Sequence, residues 1–428
     1  MRLFDYFVAE TASRMQTGSS PDNPYVKNML PAAYNDDMLM HSILAVGGAH
    51  LAYNSANREM LDITTRRHYS RALQGVRDII GSQTLDESSL QRLALTLAFL
   101  CRYEVLSTAP QSALRFHLKA MQQIFSSLAK LGYTPFTKHS SHQIDELLAL
   151  SYEWCAYLLR CNAIFSAPDT CMHDALPKEV YSENGARKSG MWETGSLFGT
   201  MTAGCQDLFG LIPIINDLHN RRLVEEEAGQ ARPSEQLLDS FNEVQNSIAS
   251  WRLDNAPKSS PTGLRLLAKL NPVAPSTSSH DDLDKEPIAH DAHTQRILAS
   301  EVIRHSLHVY SLVSLEGSSA GLAAVSQGPD GPIQTNVRIG MDFLIAMGES
   351  SYNTHLLWAI LTIGSCTVDP FHRELLKFGF GKSRFIMRHV LRTRDILELL
   401  WADEDPQMYG PHGIRLVLAK YGIDFSIS

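Results

Sequence analysis

The sequence lacks the short motifs that identify many enzymes and metalloproteins. No two of its cysteines are separated by only two residues, so it contains neither a redox dithiol nor a paired zinc knuckle. It also has no G-x-x-x-x-G-K-[ST] loop, no dinucleotide-binding glycine fingerprint and no H-E-x-x-H pair. We therefore expect no cofactor and no metal. We expect reduced, packed thiols at Cys101, Cys155, Cys161, Cys171, Cys205 and Cys366.

An excess of positive charge and a long apolar run are missing too. The 428 residues carry a net charge of −8, so their surface is a poor candidate for contacting the phosphates of nucleic acids. The apolar runs LALTLAFLC and LLWAILTIGSC are shorter than the roughly 20 residues that a membrane-spanning helix needs. The N-terminal MRLFDYFVAETASRM is interrupted by acids and polar residues, so it is not a signal peptide. We expect no membrane partner.

What the sequence does contain is apolar residues at three- and four-residue spacing along most of its length, which predicts helices. Two stretches interrupt this pattern, 254–292 and 317–332, and their Pro, Ser, Gly and Asp content predicts flexible loops. The hydrophobic fraction of 44% is sufficient for a large core. The sequence therefore predicts an all-α fold, a multi-helix array of antiparallel helices with long loops, in a single domain over residues 1–428.

The segment HSILAVGGAHLAY, residues 41–53, is typical of a buried helix but contains two adjacent glycines. Gly47 and Gly48 each cost about 1 kcal/mol of helix propensity relative to alanine. Such a cost is offset when the missing side chain lets a neighbouring helix approach closely. We therefore predict close helix packing at these glycines. His50 is predicted to be a hydrogen-bonded core histidine, with a role as a ligand as the alternative.

Two groups of chemically capable residues fall in the predicted loops. Gly317, Ser319 and Gly321 match the G-x-S-x-G motif, but no alternation of strands and helices surrounds them, so we predict no nucleophile there. The histidines and aspartates of 280–293 include metal-ligand types, yet they lie in a Pro/Ser-rich stretch rather than on rigid elements. We expect Asp291 to cap the helix that follows it.

Several segments carry a recognisable series of helical patterns in a fixed order. FDYFVAETASRM is followed by NPYVKNMLPAAYNDDMLMHSILAVGGAHLAY, and the later ones are HYSRALQGVRDII (68–80), LALTLAFLCRYEVLS (93–107), RFHLKAMQQIF (115–125), GCQDLFGLIPIINDL (204–218) and LLWAILTIGSCTVDPFHRELL (356–376). The series resembles the regulatory, or middle homology, domain of fungal binuclear zinc-cluster transcription factors. Gly47 and Gly48 stand where that family more usually has serine or alanine, and Ala359 replaces a common proline.

The resemblance implies a regulatory or effector domain of a fungal transcription factor, which controls gene expression in the nucleus, or in the cytoplasm if it stands alone. In the family, DNA is contacted by a separate N-terminal cluster of six cysteines that holds two zinc ions. The cysteines of this chain are scattered, so the zinc cluster is absent from it. That module was either removed or never present. The implied partners are the transcriptional machinery, a second copy of the chain and a small-molecule effector, with DNA reached only through the missing module.

Polar and aromatic residues inside apolar helices are the candidates for a ligand pocket, while no residue is assigned a catalytic role. The pocket candidates are His50, Tyr103, Glu104, Trp154 and Arg160. Because a fold does not fix a function, an enzyme or small-molecule binding protein of a biosynthetic pathway that reuses the same scaffold is the alternative. That alternative requires the candidates to converge in one cavity beside a perturbed carboxyl or imidazole. A purely architectural dimerisation domain is the third hypothesis.

Overall fold

The structure is a computed structural model that describes residues 2–15, 23–82, 85–107, 112–132, 142–166, 201–253, 291–382 and 388–427. Within these ranges the regular elements are helices and no strand occurs, which confirms the predicted all-α fold. The helices before residue 167 are α1 (Arg2–Tyr6, Phe7–Thr11 and Ala12–Met15), α2 (Tyr25–Met29 and Leu30–Ala33), α3 (Asp37–Tyr53), α4 (Arg58–Ile80), α5 (Glu87–Leu106), α6 (Ser112–Lys130) and α7 (His142–Phe165). The segments Phe7–Thr11 and Tyr25–Met29 are π-helical.

The remaining helices follow residue 200. They are α8 (Gln206–Phe209), α9 (Ile212–Glu227), α10 (Glu235–Ser250), α11 (Ala292–Glu316), α12 (Ala320–Gln327), α13 (Pro332–Met347), α14 (Leu357–Ser365), α15 (Pro370–Lys382), α16 (Arg388–Ala402) and α17 (Gly410–Lys420). As predicted, Asp291 caps α11, where its carboxylate accepts a hydrogen bond from the backbone N–H of Thr294 at 2.8 Å. No helix within the described ranges is long and apolar enough to cross a membrane.

Two long helices organise the packing. In the N-terminal half, α3 packs against α1, α4 and α5, and α5 in turn packs against α6 and α7. In the C-terminal half, α11 packs against α9, α10, α13 and α14. The two halves meet where α7 contacts α9 and α17, and where α5 contacts α16. Helix α5 crosses this junction and is buried on all sides from Leu93 to Leu106, which explains its nearly continuous apolar sequence.

The two glycines of α3 lie where neighbouring helices come closest. A Cβ atom at Gly47 would lie 2.9 Å from the backbone oxygen of Leu3 and 2.9 Å from the Cβ atom of Phe7, both on α1. A Cβ atom at Gly48 would overlap the hydroxyl of Thr65 on α4. The missing side chains therefore let α1 and α4 pack directly on α3, which confirms the predicted close packing.

The C-terminus is fastened to α7 by a side chain of that helix. The amide of Asn162 donates a hydrogen bond to the backbone oxygen of Ile427 at 3.0 Å and accepts one from its backbone N–H at 2.8 Å. Arg415 on α17 donates to the backbone oxygen of Ile164 at 3.0 Å. These bonds hold the end of the chain against the middle of the array.

The predicted loop at 317–332 is wrong in part, because this segment contains a 3₁₀ turn at Gly317–Ser319 and all of α12. Ala320 and Ala324 are buried, and alanine has the strongest helix propensity, so the small residues form a packed helix rather than a flexible insertion. The hydroxyl of Ser319 donates to the backbone oxygen of Glu316 at 2.7 Å. Of the other predicted loop, 254–290 lie outside the described residues.

Free, buried thiols are found at Cys101, Cys155, Cys161, Cys205 and Cys366, as predicted, while Cys171 lies outside the described residues. Burial raises the pKa of Cys366 to about 12, and it also raises the pKa of Cys101, Cys161 and Cys205. Thiols with such raised pKa values are protonated at neutral pH and therefore unreactive.

Candidate functional site

A cavity of about 50 Å³ lies where the two halves of the array meet. It can hold a few water molecules or one small chemical group, because one water needs about 10–15 Å³ of such a cavity. We call it the Arg102 cavity. Its walls come from α1, α5, α7, the turn before α14 and α16, and they consist of Arg14, Met15, Arg102, Val105, Leu106, Trp154, Thr354, His355 and His389.

Arg102 is the charged residue that α5 places in this wall. The side chain is 5% exposed, and its NH2 group donates a hydrogen bond to the hydroxyl of Tyr25 at 2.6 Å. Its guanidinium carbon lies 4.3 Å from the ring centre of Trp154, 5.1 Å from that of Tyr25 and 5.8 Å from that of Phe99. Burial lowers the pKa of Arg102, although an arginine still keeps its charge at neutral pH. The cavity therefore has a positive charge in an aromatic cage.

The two histidines of the wall are neutral. Burial lowers the pKa of His355 to about 3, and the positive charge of Arg102 and the neighbouring His389 add to this effect. Burial also lowers the pKa of His389 to about 4, with a contribution from His50. A neutral imidazole offers one donor and one acceptor. At neutral pH these rings therefore add no charge to the cavity wall.

Two residues of the cavity wall carry polar atoms that have no hydrogen-bond partner in the described part of the chain. These atoms are Nε1 of Trp154 and both ring nitrogens of His389, and all of them are buried. Nδ1 of His355, by contrast, lies 3.1 Å from the Thr354 hydroxyl. Buried polar groups in native proteins are almost always paired with protein, ordered water or a ligand. The unpaired nitrogens are exceptions to this rule, and they are buried within the wall rather than exposed to the cavity.

The structure places His50 beside the cavity rather than in its wall. Its Nδ1 atom lies 3.0 Å from the Thr11 hydroxyl, and its Nε2 atom lies 2.7 Å from the NH1 group of Arg14. Burial lowers the pKa of His50 to about 4, and the charge of Arg14 lowers it further. The prediction of a hydrogen-bonded core histidine is confirmed. Through Arg14, this histidine contacts a residue that does line the cavity.

Tyr103 and Glu104 belong to a separate polar cluster on another face of α5. The rings of Tyr103 and Tyr69 are stacked with their centres 4.3 Å apart, and the Tyr69 hydroxyl is hydrogen-bonded to Nε2 of His117 at 2.8 Å. Oε1 of Glu104 lies 3.8 Å from the same nitrogen. Burial raises the pKa of Tyr103 to about 12, helped by the charge of Glu104. The cluster joins α4, α5 and α6, and none of these four residues lines the Arg102 cavity.

Only Trp154 among the sequence candidates lines the cavity, and Arg160 lies further along α7, beside Cys161. The five residues do not all line the Arg102 cavity, so this cavity does not provide the convergence that the enzyme alternative requires. Sequence reasoning missed Arg102, His355 and His389. Arg102 had a usable signal, because it is the one basic residue in LALTLAFLCRYEVL.

In the described ranges, no group of three or more His, Cys, Asp or Glu side chains is arranged to hold a metal ion. The candidate ligands at 280–290 lie outside those ranges. Ser319 sits in the 3₁₀ turn before α12 rather than on a strand-to-helix elbow, which is the context that a G-x-S-x-G nucleophile requires.

Fold and site together define an all-helical domain in which N-terminal and C-terminal helices meet around a small cavity. The model of the fungal specific transcription factor domain matches residues 2–424 of the sequence. The chain therefore belongs to this family, as the ordered segments indicated, and its role lies in the regulation of transcription. Comparison with curated proteins and with solved structures found no match.

Proposed function

We propose that this domain regulates transcription in response to a small molecule that binds in the Arg102 cavity. The family supplies the role in transcription. The observation that supports a ligand is the buried guanidinium of Arg102 in the cavity wall, which forms no ion pair with a described residue. A bound molecule that accepts hydrogen bonds from this guanidinium would offset part of the cost of burying it.

The contacts of Arg14 suggest how binding changes the protein. Arg14 extends from α1 into the cavity wall and bonds to His50 on α3. A ligand that contacts Arg14 competes with His50 for the same guanidinium, so it changes the balance of contacts that hold α1 on α3. A ligand shifts an equilibrium only by binding two states differently. Helix α1 is the element that we expect to differ between the ligand-free and the ligand-bound state.

We further propose that the chain acts in the nucleus and reaches the transcriptional machinery or a second copy of itself through surfaces outside the cavity. Nuclear action is what its family role requires. A fluorescent fusion of the whole chain tests the location, and exclusion of the fusion from the nucleus would contradict it. Mass measurement of the purified chain in solution tests self-association.

Regulation by a ligand is tested with a reporter gene. For this test the whole chain is fused to an unrelated DNA-binding domain that binds upstream of the reporter. We compare the wild type with Arg102→Met, which removes the charge at similar volume, and with Arg338→Met, which removes an exposed charge on α13. We expect a several-fold change in output for Arg102→Met and wild-type output for Arg338→Met. Native mass spectrometry should detect a small molecule on the wild type that is lost from Arg102→Met. A ligand-free wild type together with equal output from all three chains would refute the proposal.

A further inference from the structure

We propose that copies of this chain associate head to tail, with an acidic stripe on α10 of one copy bound to a basic surface of α4 and α16 on the next. The inference rests on the proposed function, because it names the surfaces through which the chain reaches a second copy of itself. The acidic stripe consists of Glu235, Asp239 and Glu243. The basic surface consists of Arg58, Arg66, Arg388 and Arg392.

The acidic stripe is a continuous face of one helix. Its three carboxylates are spaced four residues apart, so they lie in line on the exposed side of α10, while Leu237, Val244 and Ile248 are buried on the opposite side. No lysine or arginine occurs between Glu235 and Ser250. None of the three carboxylates forms an ion pair with a described residue. The stripe therefore presents negative charge that the described part of the chain leaves unpaired.

The basic surface joins the N-terminal turns of α4 and α16. Arg388 donates a hydrogen bond to the backbone oxygen of Ser107 at 2.7 Å, at the end of α5, which packs against both helices. Burial lowers the pKa of Arg388, and the positive charges of Arg392 and Arg58 add to this effect. Arg66 is exposed two turns after Arg58 on the same helix. Like charges therefore lie close together on this surface, where a bound anionic group would relieve their repulsion.

Neighbouring acids cancel only part of this positive charge. The acids near the basic surface are Glu59, Asp62, Asp395 and Glu398. Arg394 contacts the last two, at 2.8 Å for Asp395 and 3.9 Å for Glu398. Asp62 lies 3.8 Å from the guanidinium of Arg58, and water weakens this pair because both side chains are partly exposed. Arg392 forms neither an ion pair nor a hydrogen bond with a described residue. The four arginines of the surface therefore outnumber the two acids that Arg394 does not contact.

The two surfaces also match in length and in their apolar neighbours. The ends of the acidic stripe are eight residues apart, as are Arg58 and Arg66, so each pair spans about 12 Å of helix. Met60 and Ile63 are exposed on α4, and Leu238 is exposed on α10. A protein interface typically combines apolar contacts with a polar, charged rim. Both surfaces therefore offer the two kinds of contact that an interface uses.

A second copy of the chain suits the basic surface better than a nucleic acid does. A long polyanion would also meet the rest of a chain whose net charge is −8, and it would be repelled there. Because the acidic stripe and the basic surface differ, each pair of copies keeps one of each unused. Further copies add in the same way unless a ring closes, so the average mass should rise with concentration.

Sedimentation velocity and light scattering of the whole chain over a concentration series test this contact. We expect an average mass above that of one chain at low salt, and a return to one chain at about 1 M salt, where the Debye length is about 3 Å. Arg392→Glu and Asp239→Lys should each weaken association about tenfold, because an attractive contact becomes repulsive. An equimolar mixture of these two variants should associate again, because each supplies the surface that the other lacks.

Matched variants keep the test decisive. Arg338→Glu reverses an exposed charge on α13 and should associate as the wild type does. Circular dichroism checks that each variant is folded, and Arg58→Glu is a second reversal in the basic surface if Arg392→Glu folds poorly. A wild type that is monomeric at low salt, association that neither reversal weakens, or a mixture that stays dissociated would each overturn the inference.

Failure of this inference and failure of the proposed function give different results. Self-association that is unchanged by either charge reversal would refute the two surfaces while supporting contact with a second copy. A monomeric chain whose reporter output still depends on Arg102 would refute the head-to-tail contact while supporting regulation by a ligand.

Discussion

Replacing Gly48 with alanine tests the close packing of α3 on α4. The new Cβ atom would overlap the Thr65 hydroxyl and would lie 3.2 Å from both the Cβ and the Cγ2 atom of that residue. Thr65 cannot turn away freely, because its hydroxyl donates a hydrogen bond to the backbone oxygen of Leu61 at 2.6 Å. Either this bond breaks or the two helices separate. We therefore expect Gly48→Ala to destabilise the fold.

The magnitude follows from two opposing effects. Overpacking a well-packed core costs about 1–3 kcal/mol, and alanine in a helix gains up to about 1 kcal/mol over glycine. The net loss in the free energy of unfolding is therefore up to about 2 kcal/mol. Gly379 on α15 provides the matched control, because a Cβ atom there would meet nothing within 4 Å. Gly379→Ala should gain stability by propensity alone, so the difference between the two variants isolates the overpacking.

Urea unfolding followed by far-ultraviolet circular dichroism measures both variants. Adding Thr65→Ala to Gly48→Ala removes the two γ atoms that clash, and we expect it to recover about 1 kcal/mol relative to the sum of the single changes. Equal shifts for Gly48→Ala and Gly379→Ala, or a double variant that is simply additive, would show that α3 and α4 are not in direct contact at this point.

Three further predictions concern acidity, the chain end and a helix cap. Burial lowers the pKa of His50, His219, His305, His308, His355 and His389 to about 3 or 4. Below pH 6.5 these histidines are protonated in the unfolded chain but remain neutral in the folded chain. Each of them therefore lowers the free energy of unfolding by up to about 1.4 kcal/mol per pH unit. Full stability should be present above about pH 6.5, and circular dichroism should show unfolding before about pH 4.5; a chain that is fully folded there would contradict this. Asn162→Ala should release Ile427, so amide hydrogen exchange should become faster after α17 and not in α3. Unchanged exchange after α17 would contradict the role of Asn162 in holding the C-terminus. Asp36→Ala removes the cap of α3, in which the carboxylate accepts from the Leu39 N–H at 3.1 Å, and should cost about 1–2 kcal/mol in urea unfolding, whereas Asp36→Asn should cost less.

The sequence was sufficient for features that depend on residues close together along the chain. Helical spacing predicts the all-α fold, and the paired glycines of α3 predict close packing, because both reflect one helix and its immediate neighbours. The same reasoning identified His50 as a core residue. It was wrong at α12, where serines and glycines suggested a loop while buried alanines at four-residue spacing formed a helix.

The cavity itself could not be predicted, because its wall joins residues that are far apart in the sequence. Arg14, Trp154 and His389 meet there, although more than 370 positions separate the first from the last. Tyr103 and Glu104 are adjacent to Arg102 in the chain, but successive residues of a helix point about 100° apart, so they belong to different surroundings. Polar residues within apolar runs were therefore reasonable candidates for a site. Their position in the sequence did not show which face of α5 each of them occupies.

The wall of the Arg102 cavity has a consequence for biosynthesis. Translation supplies residue 14 early and residue 389 near the end, so a nascent chain cannot enclose a ligand until the ribosome has nearly completed it. Contacts between such distant segments form slowly, because the entropy cost of closing a long loop must be met before these contacts stabilise the fold. A small molecule bound as proposed would therefore stabilise the complete protein and not the partly synthesised chain.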